Sequence, residues 1–136
     1  MNKYEHKTQY YETDQMGCIH HSNYIRWFEE ARVDLLEQLG CGYDKMEQMG
    51  IISPVIGLSC EYKKLTMFGE TVEIITKMTG FTGIKFTIAY KIMEKNSGEI
   101  RCTGETRHCF LDREGKPIRL KTQYPEIHRL LFETNE

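Results

Sequence analysis

The sequence lacks long apolar segments and a strong excess of charge of either sign. No run approaches the roughly 18 apolar residues that a membrane-spanning helix requires, and residues 1–14 contain no apolar core of a secretory signal peptide. The formal net charge is −2, which argues against a general nucleic-acid binder, although it leaves room for a local basic patch. These absences predict a soluble cytoplasmic protein with no membrane span and no nucleic-acid partner.

Signals for disulfide bonds and for metal binding are also missing. The five cysteines are odd in number and form no CxxC pair, so the chain favours a reducing compartment with free thiols. A metal site built from Asp14, His20, His21 and His6 is an alternative, but the chain has no histidine pair at the i, i+2 or i, i+4 spacing that brings ligands together. We therefore expect neither a metal nor another cofactor.

One long amphipathic helix is the most regular feature that is present. It begins at Ser22 or Asn23, both good N-cap residues, and Gly40 and Gly42 favour its termination. At about 1.5 Å per residue the helix spans roughly 25 Å, which is enough to cross a small domain. Its apolar side chains recur with the 3.6-residue period of an α-helix, and the stripe comprises Tyr24, Phe28, Ala31, Leu35 and Leu39.

The rest of the chain has the pattern of an antiparallel sheet. Alternation of apolar and polar residues is cleanest over 84–93, and short turn-like links at 80–83, 96–98 and 112–115 indicate antiparallel neighbours. Predicted strands cover 3–12, 55–65 (with a bulge at Gly57), 71–79, 84–93 and 100–111, and short helices cover 43–49 and 125–132. We predict one α+β domain over residues 1–136, with a curved sheet wrapped around the apolar face of the central helix. Since one helix leaves sheet edges exposed, we expect the chain to pair with another copy.

The loop before the long helix holds the densest cluster of reactive side chains in the sequence: Asp14, Cys18, His20 and His21. Asp14 is either the side-chain acceptor of an Asx-turn or a carboxylate that acts as base or nucleophile beside the helix N-terminus. Adjacent histidines point in different directions on most backbones, so we expect only one of the two to face the same site as Asp14. A nucleophilic Cys18 is a further alternative, but a base two or three residues away on one loop is an awkward geometry, and cysteine is often a small buried apolar residue.

The run from Tyr11 to Tyr24 resembles the 4-hydroxybenzoyl-CoA thioesterase-like family of hot-dog proteins, and is most similar to the acyl-CoA thioesterase branch that includes the Tol-Pal-associated enzyme. The family pattern is Asp, two residues, Gly, three residues, His, two residues, Tyr, followed by an aromatic helix. It matches at Asp14, Gly17, His21 and Tyr24. The resemblance continues through Phe68-Gly69-Glu70 and through 115–120, and so covers most of the chain.

The resemblance implies a hot-dog fold, a homodimer or homotetramer, and hydrolysis of an acyl-CoA thioester to free acid and CoA. It assigns Asp14 the role of general base or nucleophile, makes His21 the second catalytic residue, and places Gly17 and Tyr24 at the substrate. The 4-hydroxybenzoyl-CoA enzyme itself lacks a histidine at the position of His21, so we do not favour that aromatic substrate. Met16 replaces a small residue of the similar branch and leaves the acyl preference open.

Two other functions are compatible with the same fold. A non-catalytic protein that binds acyl-CoA or acyl carrier protein is the alternative from another class, because a fold does not fix a function. A hot-dog dehydratase is the third, and the order of Asp14 and His21 does not fit it.

Thioester hydrolysis also agrees with the residues themselves. The leaving thiol has a pKa of about 8.5, so its departure as a thiolate needs little protonation. The reaction then requires a carboxylate that activates water or attacks directly, and donors for the oxyanion, which backbone N–H groups at a helix start can supply. Cations must bind the CoA phosphates, and the candidates are Lys63, Lys64, Arg101, Arg107, Arg119 and Lys121.

Overall fold

The structure, a computed structural model, describes residues 2–135 and consists of a five-stranded antiparallel sheet with one long helix against it. The order across the sheet is β1-β3-β4-β5-β2. The strands are β1 (Asn2–Lys7), β2 (Val55–Tyr62), β3 (Thr71–Phe81), β4 (Lys85–Glu94) and β5 (Ile100–Cys109). The helices are α1 (Ser22–Gln38), α2 (Tyr43–Gln48), α3 (Leu120–Gln123) and α4 (Pro125–Thr134). This arrangement confirms the predicted α+β class.

Helix α1 buries its apolar stripe against the inward-facing residues of the sheet. Trp27, Phe28 and Ala31 are fully buried, and the Phe28 ring stacks on Tyr90 of β4 with ring centroids 4.3 Å apart. Burial of a side chain of this size stabilises the fold by about 1.5–3 kcal/mol. Buried residues alternate along β3 and β4, as the period-2 pattern predicts, and include Val72, Ile74, Met78, Phe86, Ile88 and Ile92.

The later strands and helices lie within a few residues of their predicted positions, except that α3 was not predicted. The pairs β3/β4 and β4/β5 are antiparallel neighbours as expected, and the register of β2 on β5 shifts between Val55 and Gly57, which confirms the bulge. The prediction of the first strand was wrong for residues 8–12. The strand ends at Lys7, and Tyr10–Glu12 form a short 3₁₀ helix. This turn forms where the buried Glu12 carboxylate accepts the Gln9 backbone N–H at 2.7 Å.

Neither residue predicted as the N-cap of α1 caps it. The helix begins at Ser22, with His21 at the N-cap position and no side-chain cap. Ser22 Oγ instead lies 2.8 Å from His20 Nδ1, and Asn23 Nδ2 donates to the Glu12 carbonyl oxygen at 2.9 Å. Both side chains therefore tie the helix to the preceding loop. At the other end, Gly40 with φ of +86° follows the last turn and terminates the helix as predicted.

The close approach of α1 to β5 yields a stability prediction at Gly104. A Cβ at this position would lie 2.5 Å from the Ser59 carbonyl oxygen and 2.8 Å from the Phe28 ring, so Gly104→Ala forces backbone or ring to move. We expect a loss of roughly 1–3 kcal/mol in the free energy of unfolding by urea titration. Gly80→Ala is the control, because its Cβ meets only the Thr87 side chain at 3.5 Å. Equal stability of the two variants would contradict this packing.

Candidate active site

The Asp14 loop, residues 13–19, is a tight hairpin in front of helix α1. Thr13 bridges Ile19, and the Asp14 N–H donates to the Cys18 carbonyl oxygen at 2.8 Å. Gly17 has φ of +79°, a conformation that favours glycine, so its role in this structure is to turn the loop. The loop therefore holds Asp14 at a fixed place between β1 and the N-terminus of α1.

The two oxygens of the Asp14 carboxylate have different environments. Oδ1 accepts the backbone N–H groups of Met16 at 2.8 Å and Cys18 at 3.2 Å, so the Asx-turn interpretation is correct for this atom. Within residues 2–135 no hydrogen bond reaches Oδ2, and the side chain is half-buried. The turn uses only Oδ1 and leaves Oδ2 without a hydrogen bond among the described residues, so the two interpretations of Asp14 are compatible.

His20 and His21 do not point in different directions as expected. Their rings stack with centroids 4.2 Å apart, because His21 already has helical backbone angles and Ser22 holds the His20 ring. His20 Nδ1 accepts the Ser22 N–H at 3.2 Å, which commits this ring to the helix start. Of the two histidines, His21 is the one that lines a cavity.

The cavity beside α1, which we call the His21 cavity, has a volume of about 610 Å³. Aromatic rings dominate one side: the Tyr62 ring lies 6.2 Å from His21 and 5.4 Å from Tyr24, centroid to centroid. The Tyr62 hydroxyl donates to the His21 carbonyl oxygen at 3.2 Å, which joins β2 to the helix start. The lining residues are Ile19, His21, Tyr24, Tyr62, Lys63, Lys64, Leu65 and Glu99. His21 and Tyr24 share this cavity, whereas Asp14 and Gly17 lie in the adjoining loop.

Both tyrosines of the cavity stay protonated near neutral pH. Burial raises the pKa of Tyr24, and burial, assisted by a hydrogen bond with Cys60, raises the pKa of Tyr62 to about 12. Each hydroxyl is therefore a neutral group that can donate a hydrogen bond. Neither serves as a base.

The six candidate cations separate into distinct groups. Lys63 and Lys64 line the His21 cavity. Lys63 pairs with Glu61 at 2.7 Å, whereas Lys64 forms no ion pair within the described chain. Arg101 is buried, and its guanidinium donates to both carboxylate oxygens of Glu70 at 2.8 and 3.0 Å. That bidentate bond lowers the pKa of Glu70 despite partial burial. The others lie elsewhere: Arg107 beside Glu105, and Arg119 and Lys121 at a separate small cavity.

Two alternatives from the sequence find little support in the geometry. Cys18 is 6% exposed, and its sulfur contacts the Met16 carbonyl oxygen at 4.0 Å and no histidine. His6 bonds Glu12 rather than the loop histidines, and residues 2–135 contain no group of three His, Cys, Asp or Glu side chains that could hold a metal ion. Over the same residues, no helix has the length and apolar character needed to cross a membrane.

Sequence reasoning missed two residues that organise the site. Tyr62 reaches the cavity from β2, which is 41 positions from His21 in the chain, and no local pattern indicates that contact. Glu12 lies two positions before Asp14 and is only 4% exposed. A charged residue is normally expected at the surface, so its residue type gave no reason to expect a structural role inside the fold. The only available signal was its position next to the motif.

The chain belongs to the thioesterase-like superfamily, whose family profile matches residues 8–129. It is 36% identical over 129 residues to YneP of Bacillus subtilis (strain 168), provisionally named an acyl-CoA thioesterase, with 94% of this chain and 93% of YneP covered. The structure matches a DHNA-CoA thioesterase from Staphylococcus aureus with a TM-score of 0.91 at 37% identity, over 96% of this chain and 88% of that one. It also matches the protein TT1821 from Thermus thermophilus with a TM-score of 0.90 at 31% identity, over 99% and 100% of the two chains.

These similarities confirm the predicted hot-dog fold and the predicted class, a thioester hydrolase of the acyl-CoA thioesterase family. The finer relation to the Tol-Pal-associated enzyme stays a prediction.

Proposed function

We propose that the chain hydrolyses an acyl-CoA thioester with Asp14 as general base or nucleophile and His21 as the second catalytic residue. The asymmetry of the Asp14 carboxylate carries the proposal: Oδ1 is held by two backbone N–H groups and Oδ2 is free of hydrogen bonds within the described residues. A carboxylate fixed through one oxygen presents the other in a defined direction. That oxygen either removes a proton from the attacking water or attacks the thioester carbon itself.

His21 is the donor that we assign to the thioester carbonyl. The sequence suggested the N–H groups at the start of α1 for this task, but Ser22 donates to His20 Nδ1 and Asn23 to the His20 carbonyl oxygen. These two N–H groups are therefore occupied. The His21 imidazole faces the cavity instead, and a donor at a developing oxyanion is among the largest contributions to such catalysis.

The His21 cavity is the proposed binding place of the acyl-CoA. Tyr24 and Tyr62 supply an aromatic wall. Lys64 supplies a positive charge at the same cavity, as the CoA phosphates require, whereas Lys63 is paired with Glu61. Gly17 would act on the substrate indirectly, by turning the Asp14 loop. The Staphylococcus aureus relative is named for an aromatic acyl-CoA, DHNA-CoA, so aromatic acyl groups belong in a substrate panel beside straight-chain ones.

A second copy of the chain is the proposed occupant of the open β2 edge. β2 lies at one end of the sheet, and Val55, Ile56 and Leu58 are exposed along it. An exposed apolar edge strand pairs readily with an identical strand. Because Tyr62 belongs to the same strand, such a homodimer would bring the second copy next to the His21 cavity.

A reducing, cytoplasmic location is supported by the thiols. All five cysteines are free, although the Cys60 and Cys102 sulfurs lie only 3.4 Å apart. An odd number of cysteines with no CxxC pair is typical of a reducing compartment.

The substitution Asp14→Asn removes the proposed base and keeps the shape of the side chain. Release of free thiol from a panel of acyl-CoAs, including DHNA-CoA, should fall by about 10²–10⁴-fold, while binding of a non-hydrolysable acyl-CoA analogue survives. Cys18→Ser is the control and should keep its activity, because the buried thiol faces the Met16 carbonyl oxygen. Loss with Cys18→Ser instead would move the chemistry to the thiol. Binding without turnover by the wild type would favour the non-catalytic alternative, and an enoyl product the dehydratase.

The two adjacent histidines form a matched pair for mutation. His21→Ala should lower kcat by about 10²-fold if its imidazole stabilises the oxyanion. His20→Ala removes the same chemical group one position away, where the ring is bound to Ser22, and should reduce kcat much less. Steady-state kinetics on the best substrate of the panel separate the two, and the reverse order would exchange their assignments.

The proposed homodimer can be tested at the exposed β2 edge. Ile56→Lys places a charge on the exposed β2 edge and should shift the sedimenting species from dimer to monomer. Phe132→Lys makes the same change at another exposed apolar residue, on α4, and should leave the dimer intact. Analytical ultracentrifugation measures both, and a monomeric wild type would contradict the proposal.

A further inference from the structure

Glu12 is a buried carboxylate with an unusually complete set of donors. It is 4% exposed, and its Oε1 accepts the Gln9 backbone N–H at 2.7 Å and His6 Nε2 at 3.0 Å. Its Oε2 accepts the indole N–H of Trp27 at 2.8 Å. Burial by itself would raise the pKa of Glu12, but the bonds from His6, Trp27 and the Gln9 N–H outweigh it and lower the pKa. The side chain is therefore an anion inside the fold.

The backbone of the same residue holds the two sides of the Asp14 loop together. The Glu12 carbonyl oxygen accepts the His20 N–H at 2.8 Å and Asn23 Nδ2 at 2.9 Å. Glu12 immediately precedes the loop, and His20 immediately follows it. One residue thus connects β1 through His6, the buried face of α1 through Trp27, and both ends of the Asp14 loop.

These bonds fix the geometry on which catalysis depends. Asp14 is two residues from Glu12 in the chain, and His21 follows His20, whose N–H the Glu12 carbonyl oxygen accepts. A shift of Glu12 would therefore change the position of Asp14 relative to His21. Trp27 is fully buried in the core, so its hydrogen bond anchors the Glu12 carboxylate to a rigid part of the fold. A displacement of about 1 Å between reacting groups can reduce a rate by about 10²-fold.

We propose that Glu12 is a positioning residue that sets Asp14 relative to His21 through the Trp27 and His6 bonds. The inference rests on the proposed catalytic role of Asp14. Glu12 touches no substrate, since it lies behind the loop and outside the lining of the His21 cavity. It acts on kcat, because it controls where the carboxylate stands, and leaves KM largely unchanged, because the cavity walls stay in place.

Glu12→Gln tests the proposal with little change in size. An amide has one oxygen and one N–H₂ group, so it cannot accept from both the Gln9 N–H and the Trp27 N–H, which bind different oxygens. We expect kcat to fall by about 10–10²-fold with KM within about twofold of the wild type. Glu94→Gln is the matched control: Glu94 is also buried, and its carboxylate accepts the backbone N–H groups of Asn96 and Ser97 in its own turn.

Two readouts besides turnover distinguish positioning from general destabilisation. Trp27 is the single tryptophan of the chain, so its fluorescence reports directly on the bond to Glu12, and it should shift in Glu12→Gln but not in Glu94→Gln. Hydrogen exchange should accelerate at residues 13–20 only in Glu12→Gln. In an Asp14→Asn background, Glu12→Gln should have no further effect on kcat, because the group that it positions is gone.

The possible outcomes separate this inference from the proposed function. If Asp14→Asn keeps full turnover, the catalytic assignment of Asp14 fails, and the inference falls with it. If Asp14→Asn is inactive while Glu12→Gln matches Glu94→Gln in kcat, the proposed function stands and the positioning role of Glu12 is wrong. Should Glu12→Gln not fold, Trp27→Phe removes only one donor and keeps the carboxylate. A severalfold loss of kcat at constant KM supports the inference there, and unchanged kcat overturns it.

Discussion

The burial of one face of helix α1 against the sheet is the constraint on which the site depends. Trp27 and Phe28 are both fully buried, so the helix cannot rotate or slide without exposing large aromatic side chains, each worth about 1.5–3 kcal/mol when buried. The first turn of α1 carries Tyr24, and His21 precedes it. The position of the helix therefore determines where the His21 cavity forms and where the loop in front of it must end.

Polar groups inside this core form a connected network rather than isolated charges. Arg32 donates to the hydroxyl of Tyr43 at 2.9 Å and to that of Tyr90 at 3.2 Å, and Thr106 joins Tyr90 to His108. No carboxylate pairs with Arg32 within residues 2–135, and burial followed by the charge of Arg32 lowers the pKa of His108 to about 4. The neutral His108 is thus the last member of a hydrogen-bonded series in which the hydroxyls of Tyr43 and Tyr90 solvate the buried charge of Arg32. Such hydrogen-bonded networks favour one arrangement of helix on sheet over shifted ones, because a shift would break the bonds of Arg32, Tyr90 and Thr106.

The parts of the fold that the sequence predicts are those set by local periodicity. Apolar and polar residues alternate most cleanly over 84–93, and the strand forms there as Lys85–Glu94. Successive side chains of a strand point to opposite faces, so the alternate apolar set faces the core. The N-terminus of α1 was predicted with the wrong cap, because the Ser22 and Asn23 side chains bond to residues of the preceding loop and not to the helix N–H groups. The turn at Tyr10–Glu12 was missed for a related reason: Glu12 bonds Trp27, 15 residues away. Local propensity does not predict a contact between residues that far apart in the sequence.

The same distinction explains which members of the candidate site could be predicted. Asp14 and His21 stand in one short motif, so their spacing could be read directly from the sequence. Tyr62 reaches the cavity only because β2 pairs with β5 at the far end of the sheet, and no spacing in the sequence encodes that. Since Tyr62 also belongs to the strand whose edge is open, the wall of the cavity and the contact surface of the proposed homodimer are one element. In the proposed homodimer, a second copy on β2 would therefore lie beside the strand whose Tyr62 hydroxyl bonds the His21 carbonyl oxygen, so the proposed assembly and the proposed binding cavity share one strand.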